Sequence, residues 1–285
     1  MIVCGTGSQV LGTALAQSLS VPVATVTRER FPDGEFLLRV PDFEGQRAIV
    51  VVSTVSSDAH LEVLQLQDAV REAGATEVVT VIPYLGYGRQ DAAFEAGEPV
   101  SVRAVARAIS TGTDRVITVN PHEPASCEYF DPPAEVIDAG RRLGESLPDD
   151  LVDPVFLAPD EGARDLAATV QQAYGNGVVD HFEKTRHSGD SVTIAPSDVD
   201  VAGRDVVIVD DIIATGSTMA TAIDHLEGAR RRYVTCVHPV LADGAYSRLR
   251  RAGVTDVLGT DTIEHPVSAV SVAPAIANYL EGTND

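Results

Sequence analysis

Lysine, cysteine and tryptophan are scarce in this sequence: among 285 residues there are one lysine, three cysteines and no tryptophan. Cys4, Cys127 and Cys236 are far apart and odd in number, which excludes a disulfide framework and a zinc-type spacing and predicts reduced thiols in the cytoplasm. No apolar run approaches the roughly 20 residues of a membrane span. The first residues show no basic segment followed by an apolar core, so we expect no signal peptide.

Basic residues are also few: the chain has 42 acidic and 21 basic residues, which gives a net charge of −21. Such a surface repels nucleic acids and anionic membranes, and we exclude both as partners. Dense carboxylates with almost no lysine suggest adaptation to concentrated salt, which screens the self-repulsion. The single lysine, Lys184, is therefore a candidate for a functional role rather than for a surface position.

The remaining composition, 44% hydrophobic, is that of a globular chain, and its length predicts about two domains. Apolar strand patterns alternate with amphipathic helix patterns, which predicts an α/β fold with mainly parallel, doubly wound sheets. We place the domain boundary at 139/140, with the last helix possible as an addition to the first domain. The pattern also predicts a helix over 135–147, and a hairpin that pairs 178–185 with 192–195.

The segment Arg204–Thr218, RDVVIVDDIIATGST, is the most informative stretch. An apolar strand ends in the pair Asp210 and Asp211, and a small, hydroxyl-rich turn, Thr215–Thr218, then opens a helix. A turn at a helix start binds phosphate through its free N–H groups. The acidic pair can accept hydrogen bonds from ribose hydroxyls or hold a divalent cation. The alternative is an ordinary strand–turn–helix corner with a capping hydroxyl, but adjacent charges at a strand end need partners.

Six motifs in collinear order carry a resemblance to a known family. They are FPDGE at 31–35, YGRQDAAFEAGEPVS at 87–101, NPHE at 120–123, PDEG at 159–162, EKTR at 183–186 and DDIIATGST at 210–218. Together they resemble ribose-phosphate pyrophosphokinase in its archaeal form, over almost the whole chain. The resemblance implies two phosphoribosyltransferase-like (type I) domains, the first for ATP and the second for ribose 5-phosphate. It also implies transfer of the diphosphoryl group of ATP to the C1 hydroxyl of ribose 5-phosphate, giving phosphoribosyl diphosphate (PRPP) and AMP, with Mg²⁺ as cofactor.

The resemblance assigns the ribose 5-phosphate site to one set of residues: Arg186, Asp210, Asp211, Ala214, Thr215, Gly216, Ser217 and Thr218. Ala214 stands where many members of the family carry a third aspartate. Ser217 stands where many carry glycine.

The resemblance also assigns the ATP site. Arg89 and Gln90 in a glycine-flanked loop would bind ATP, since arginine can grip phosphate oxygens at two points. Phe31, Asp33 and Glu35 would contact adenine in the site of a neighbouring subunit, which implies a homo-oligomer. Many members carry asparagine at Asp33.

The metal and the transition state complete the set of implied roles. His122 and Asp160 would hold Mg²⁺ on the ATP phosphates, although oxygen ligands suit this ion better than imidazole. Lys184 and Arg186 would supply positive charge to the oxygens of the transferred group.

Two other functions explain part of the sequence. A PRPP-consuming phosphoribosyltransferase explains DDIIATGST and PDEG, but it leaves the Arg89 loop, NPHE and the first domain without a role. A non-catalytic regulatory subunit of the same family predicts loss of charged groups at the transfer site. Lys184, Arg186 and Arg89 are all present, which favours the catalytic alternative.

Overall fold

The chain folds into α/β units, seen in a computed structural model that describes residues 1–186, 192–195 and 199–282. For 183–186 and 192–195 only the backbone is described. One unit contains Met1–Asp138, Thr262–Glu264 and the stretch from Ser271. The other contains Ala139–Asp261 and His265–Val270. Within the described residues, no helix is both long and apolar enough to cross a membrane.

The first unit is built on a five-stranded parallel sheet in the order β1-β4-β5-β6-β7. Its strands are β1 (Ile2–Cys4), β4 (Arg47–Val51), β5 (Glu77–Ile82), β6 (Arg115–Val119) and β7 (Ala134–Ile137), and an antiparallel hairpin adds β2 (Thr27–Arg30) and β3 (Phe36–Arg39). Its helices are α1 (Gln9–Leu19), α2 (Ser57–Glu72), α3 (Ser101–Ser110) and α8 (Ala273–Glu281). The final helix α8 packs against α1 in this unit.

The second unit is built on a six-stranded parallel sheet in the order β15-β14-β13-β12-β8-β9. Its strands are β8 (Val155–Ala158), β9 (Val178–His181), β12 (Asp205–Ile212), β13 (Arg231–His238), β14 (Asp256–Thr260) and β15 (Ser268–Val270), with an antiparallel pair β10 (Glu183–Arg186) and β11 (Val192–Ala195). Its helices are α4 (Gly140–Glu145), α5 (Arg164–Tyr174), α6 (Ser217–Asp224) and α7 (Ala245–Arg251).

The order of these strands creates a switch point between β8 and β12. From β8 the chain moves to β9 on one side, and it later returns to add β12 on the other side of β8. Loops leave the carboxyl ends of two such neighbouring strands in opposite directions, and open α/β sheets bind ligands in the resulting crevice. The loop after β8 and the carboxyl end of β12 are therefore where a ligand site is expected.

Apolar strand patterns explain both cores. The central strands β4 and β5 are apolar on both faces because helices cover a parallel sheet on both sides. Val206, Val207, Ile208 and Val209 of β12 are fully buried for the same reason. The prediction of an α/β fold with mainly parallel sheets is confirmed.

Two elements differ from the sequence prediction. The predicted helix over 135–147 is wrong: Ala134–Ile137 forms β7 beside β6, and only Gly140–Glu145 is helical. Val136 and Ile137 are β-branched and favour an edge strand over a helix start.

The predicted pairing of 178–185 with 192–195 is also wrong in its first half. Val178–His181 joins the parallel sheet beside β8, and only 183–186 pairs with 192–195. The chain changes partner at Phe182, whose N–H donates to the carbonyl of Ala158 at 3.0 Å and whose ring is buried. The predicted hairpin turn covers 186–191; Arg186 is the last residue of β10, and 187–191 lie outside the described residues.

A buried carboxylate, that of Asp205, lies at the amino end of β12 in the second sheet. Asp205 is fully buried and accepts hydrogen bonds from Val152 N–H, Arg230 and Arg231, each at 2.7 Å. Burial acts to raise the pKa of Asp205, but the hydrogen bonds from Arg231 and Val152 and the arginine charges outweigh it and leave the pKa below the ordinary value. This carboxylate is thus held in its ionised form.

Replacing Asp205 by asparagine is expected to lower the free energy of unfolding by about 3 kcal/mol, because the arginines lose their buried counter-ion. Denaturant unfolding at neutral pH measures this change. Asp256→Asn, at the exposed first position of strand β14 in the same sheet, is the matched control. Equal stabilities of the two variants would contradict a structural role for the buried ion pair.

Candidate active site

The acidic pair lies at the carboxyl end of β12, beside the switch point. Asp210 and Asp211 follow the four fully buried apolar residues of the strand and are themselves half-buried. Asp210 Oδ1 accepts from the Asp211 N–H at 3.0 Å, and Asp211 Oδ1 accepts from the Ile212 N–H at 2.7 Å. Each carboxylate therefore uses one oxygen to accept a hydrogen bond from the N–H of the next residue.

The charges around Asp210 favour its protonated form. Burial, and then the charge and hydrogen bonding of Asp211, raise the pKa of Asp210 well above its ordinary value, and the charge of Asp160 adds to this effect. Asp160 follows β8, the strand beside β12. The three carboxylates thus repel one another across the switch point, and a cation or a row of hydroxyl donors would relieve that repulsion.

A loop at Ile213–Gly216 connects the acidic pair to helix α6. Ile213 is buried, whereas Thr215, Ser217 and Thr218 are exposed, and Thr215 Oγ1 lies 3.1 Å from Ser217 Oγ. Gly216 caps the helix in the left-handed conformation, with φ of +69°, which side-chain-bearing residues rarely adopt. The first N–H groups of α6 have no partner within the helix itself, and they suit an anion such as phosphate.

The turn Pro159–Gly162 forms the other wall of the switch point. Asp160 caps a short 3-10 helix, Glu161–Ala163, by accepting from the Gly162 N–H at 3.1 Å. A carboxylate oxygen of Glu161 lies 2.8 Å from Nε2 of His181, the last residue of β9. This pair ties the turn to the strand that precedes Lys184.

Lys184 and Arg186 lie on β10, three and five residues after the end of β9 at His181. Lys184 is paired with Ile194 and Arg186 with Val192 in the antiparallel register of β10 and β11. Residues 187–191, which follow β10, lie outside the described residues.

In the first unit, the Arg89 loop and NPHE lie at the carboxyl ends of the neighbouring strands β5 and β6. A Cβ on Gly88 would lie 3.7 Å from the Cβ of His122, so the two segments touch. Arg89 and His122 are both exposed, whereas Gln90 donates to the Ala92 carbonyl at 3.1 Å and to Glu98 at 3.2 Å. The strand ends thus bring the loop that carries Arg89 against the segment of His122, and Gln90 makes hydrogen bonds within that loop.

The FPDGE motif forms the tight turn between β2 and β3. The Phe31 N–H donates to the Glu35 carbonyl at 2.8 Å, and the Asp33 carboxylate accepts from the Glu35 N–H at 3.1 Å. Phe31 is 37% exposed, so a ligand from solvent can reach this residue. Arg30 at the base of the turn pairs with Asp58 at the start of α2, and His60 on the same helix contacts the Tyr87 ring at 5.2 Å.

Comparison with known proteins identifies the family. Residues 1–112 match the family model of the N-terminal domain of ribose phosphate pyrophosphokinase, and residues 128–275 match the phosphoribosyl transferase domain. A ribose-phosphate pyrophosphokinase of Halobacterium salinarum is 59% identical over 281 residues, 98% of this chain and 100% of that one. The chain belongs to the ribose-phosphate pyrophosphokinase family.

Two further relatives agree over the full length. The enzyme of that name from Methanopyrus kandleri is 46% identical and covers 99% of both chains. The crystal structure of phosphoribosylpyrophosphate synthetase from Mycobacterium smegmatis superposes with a TM-score of 0.83, at 27% identity, over 99% of this chain and 97% of that one. The family predicted from the six motifs is therefore confirmed.

As a member of this family, the chain divides its predicted magnesium ligands between units, because His122 belongs to the first and Asp160 to the second. In the described part of the chain, no three His, Cys, Asp or Glu side chains form a group that could hold a metal by themselves. Mg²⁺ commonly uses one or two protein carboxylates and completes its shell with water and substrate phosphates. The carboxylates of Asp210, Asp211 and Asp160 repel one another, and a cation held in this way would reduce that repulsion.

Two contacts in this pyrophosphokinase site were not foreseen from the motifs. His181 pairs with the PDEG turn, and Arg248 on α7 donates a hydrogen bond to the Thr215 carbonyl. Arg248 lies 33 residues after its acceptor and in no motif, so no local pattern marks it. His181 lies in a predicted strand, and the only available signal was its position three residues before Lys184.

Proposed function

We propose that this chain transfers the diphosphoryl group of ATP to the C1 hydroxyl of ribose 5-phosphate, with release of PRPP and AMP. The observation that carries the proposal is the carboxylate pair Asp210 and Asp211 followed by the Thr215–Thr218 loop, at the switch point of a parallel sheet. This arrangement supplies acceptors for the ribose hydroxyls beside a cradle for the 5′-phosphate. The names of full-length relatives support the same activity.

In this proposal the second unit holds the sugar. The loop Thr215–Thr218 binds the 5′-phosphate through its N–H groups and the positive end of α6. Asp210 and Asp211 accept from the ring hydroxyls and fix the orientation of C1. Because both ends of the sugar are held, the C1 hydroxyl is positioned to attack the diphosphoryl group of ATP. Positioning of this kind supplies a large part of the rate enhancement.

The first unit holds the nucleotide in the proposal. Arg89 binds the phosphates, His122 lies beside it, and Gln90 keeps the loop in shape. Phe31, with Asp33 and Glu35, binds adenine in the site of a neighbouring subunit, so the proposed enzyme is a homo-oligomer. Such an arrangement leaves the turn exposed in a single chain, which agrees with its observed exposure.

The transfer itself needs positive charge. The reacting phosphoryl group carries charge on its oxygens, and Lys184 with Arg186 would neutralise it. Mg²⁺, when bound by Asp160 and the nucleotide, would polarise the phosphates and neutralise part of their charge. Asp210 and Asp211 then orient the hydroxyl rather than act as a strong base. Ala214, in place of a third aspartate, leaves this orientation to the remaining pair.

The proposal is tested by incubating the protein with ATP, Mg²⁺ and ribose 5-phosphate in concentrated salt and measuring AMP and PRPP. AMP formed only in the presence of the sugar, in equal amount to PRPP, is the expected result. Consumption of PRPP with a nucleobase but no AMP would instead identify a phosphoribosyltransferase. If the protein shows neither of these activities, the result would favour a non-catalytic subunit and overturn the proposal.

A further inference from the structure

The phosphate loop does not hold its shape alone, because the segment after β13 braces it. The Ile213 N–H donates to the His238 carbonyl at 3.2 Å, and the Leu241 N–H donates to the Ile213 carbonyl at 2.8 Å. Both hydrogen bonds join backbone groups, so they fix the position of Ile213, where the loop starts. They place the start of α7 next to the loop that leads to α6.

Helix α7 then packs directly against the turn of the loop. A Cβ on Gly216 would lie 3.4 Å from the Cβ of Ala245 and 3.6 Å from Cγ of Leu249. Ala245 and Leu249 are both fully buried and stand four residues apart, on one face of α7. This face of α7 therefore packs against the backbone of Gly216, the residue that caps α6.

Arg248, on the same face of the helix, reaches the loop with its guanidinium group. One Nη donates a hydrogen bond to the backbone carbonyl of Thr215, the residue before Gly216. Arg248 itself is half-buried, whereas Thr215 is exposed. A charged donor on a backbone carbonyl makes a stronger bond than a neutral donor does.

The planarity of the peptide bond gives this contact a consequence for the phosphate site. No cis peptide is present in the described residues, and in a trans peptide the C=O and N–H groups point in opposite directions. When Arg248 holds the Thr215 carbonyl toward α7, the N–H of Gly216 must point away from α7. The positive guanidinium also draws electrons from the carbonyl and makes that N–H a better donor.

We propose that Arg248 is a positioning residue for the 5′-phosphate of the sugar substrate. It acts through the Thr215–Gly216 peptide, which it orients so that the Gly216 N–H donates to the phosphate. This role rests on the proposed function only in the identity of the ligand as a pentose 5-phosphate. The guanidinium adds a fixed positive charge behind the loop, in a chain whose net charge of −21 opposes anion binding.

The test compares Arg248→Met with Arg248→Lys and with Arg250→Met as the matched control. Arg250 lies on the same helix and also donates to backbone carbonyls, those of Val254 and Thr255, but these are not in the loop. Both methionine variants remove one charge and keep a long side chain. Steady-state kinetics give kcat and the KM for each substrate, and calorimetry gives the affinity for ribose 5-phosphate and for ribose without ATP.

We expect Arg248→Met to raise the KM and the Kd for ribose 5-phosphate about tenfold, with the KM for ATP unchanged. Arg248→Lys should recover part of the affinity, because it keeps the charge and one donor. Arg250→Met should match the wild type. The affinity for ribose, which has no phosphate, should be the same in all four proteins, a result that a general loss of structure would not give.

An equal KM for ribose 5-phosphate in Arg248→Met and Arg250→Met would overturn the inference, as would a parallel rise in the KM for ATP. Thermal unfolding shows whether Arg248→Met folds; if it does not, Arg248→Gln takes its place, and an unchanged Kd and KM for ribose 5-phosphate in that neutral variant would contradict the role. Calorimetry separates the two proposals. A wild type that binds ribose 5-phosphate but forms no AMP contradicts the enzyme activity and leaves the Arg248 comparison intact.

Discussion

Replacing Lys184 by alanine is expected to lower kcat about a thousandfold, a loss typical of removing a charge that stabilises only the transition state. The KM for either substrate should change by less than about threefold, because ground-state contacts come from other residues. Lys184 is the single lysine of a chain with 42 acidic residues, and it lies on β10 three residues after His181, which is paired with the PDEG turn. Single-turnover formation of AMP measures the chemical step directly.

Lys184→Arg is the first control for this prediction, since it keeps the charge but changes the length and geometry of the group. It should retain more of the rate than alanine does. Arg250→Met is the second control, because it also removes one positive charge from the chain yet lies on α7. A kcat for Lys184→Ala within about threefold of the wild type would rule out its proposed role in the transfer.

Replacing Asp210 by asparagine is expected to lower kcat/KM about a hundredfold while raising the free energy of unfolding. The loss of activity follows because a misoriented C1 hydroxyl cannot attack in line. The gain in stability follows because asparagine relieves the repulsion between Asp210, Asp211 and Asp160. Burial and these charges already raise the pKa of Asp210 in the folded protein, so the ionised form is disfavoured there.

The contribution of Asp210 to the free energy of unfolding depends on pH, and the raised pKa gives the sign of that dependence. The folded pKa of Asp210 lies above the ordinary aspartate value of 3.8, so between these two values the folded protein binds a proton that the unfolded chain releases. The contribution of Asp210 to stability is therefore present at low pH and is lost as the pH rises through the raised pKa. Asp210→Asn should remove this part of the slope. Asp205, whose pKa is lowered, acts in the opposite direction, and its contribution is lost as the pH falls below 3.8 through the folded pKa.

Chemical unfolding of the wild type and Asp210→Asn at several pH values, without divalent cations, measures the difference. Asp224→Asn is the matched control, because Asp224 is an exposed aspartate at the end of α6 in the same unit. Added Mg²⁺ should stabilise the wild type more than Asp210→Asn if the carboxylates attract the ion. A variant that is both less stable than the wild type and fully active would contradict both parts of the prediction.

The sequence predicted the parts of the fold that depend on local patterns. Val206–Val209 could be assigned to a buried strand because it is apolar throughout, and Thr215–Thr218 to a helix start because of its small and hydroxyl-bearing residues. The helix predicted over 135–147 failed because the pairing of β7 with β6 is a tertiary interaction. The hairpin failed in part because β9 pairs with β8, as in Val178 with Val155, and that partner is distant in the chain.

The assigned roles of the site residues stay predictions. Asp210, Asp211 and Asp160 do lie around one switch point, and the loop of Arg89 touches the segment of His122 at neighbouring strand ends. The predicted magnesium pair is divided between the two units, and the Lys184 and Arg186 side chains are outside the described set. Binding of ATP by the Phe31 turn depends on a second subunit, which a single chain cannot test.

By itself the sequence determined the family, the α/β class and the order of the six motifs, because residue type and spacing along the chain are enough to specify these features. Only the tertiary structure decided that Asp160 approaches Asp210 and that Arg248 holds the Thr215 carbonyl. Both contacts join residues that are far apart in the chain and meet through the order of strands in a sheet. Strand order results from the packing of the whole unit, and no short stretch of sequence encodes it.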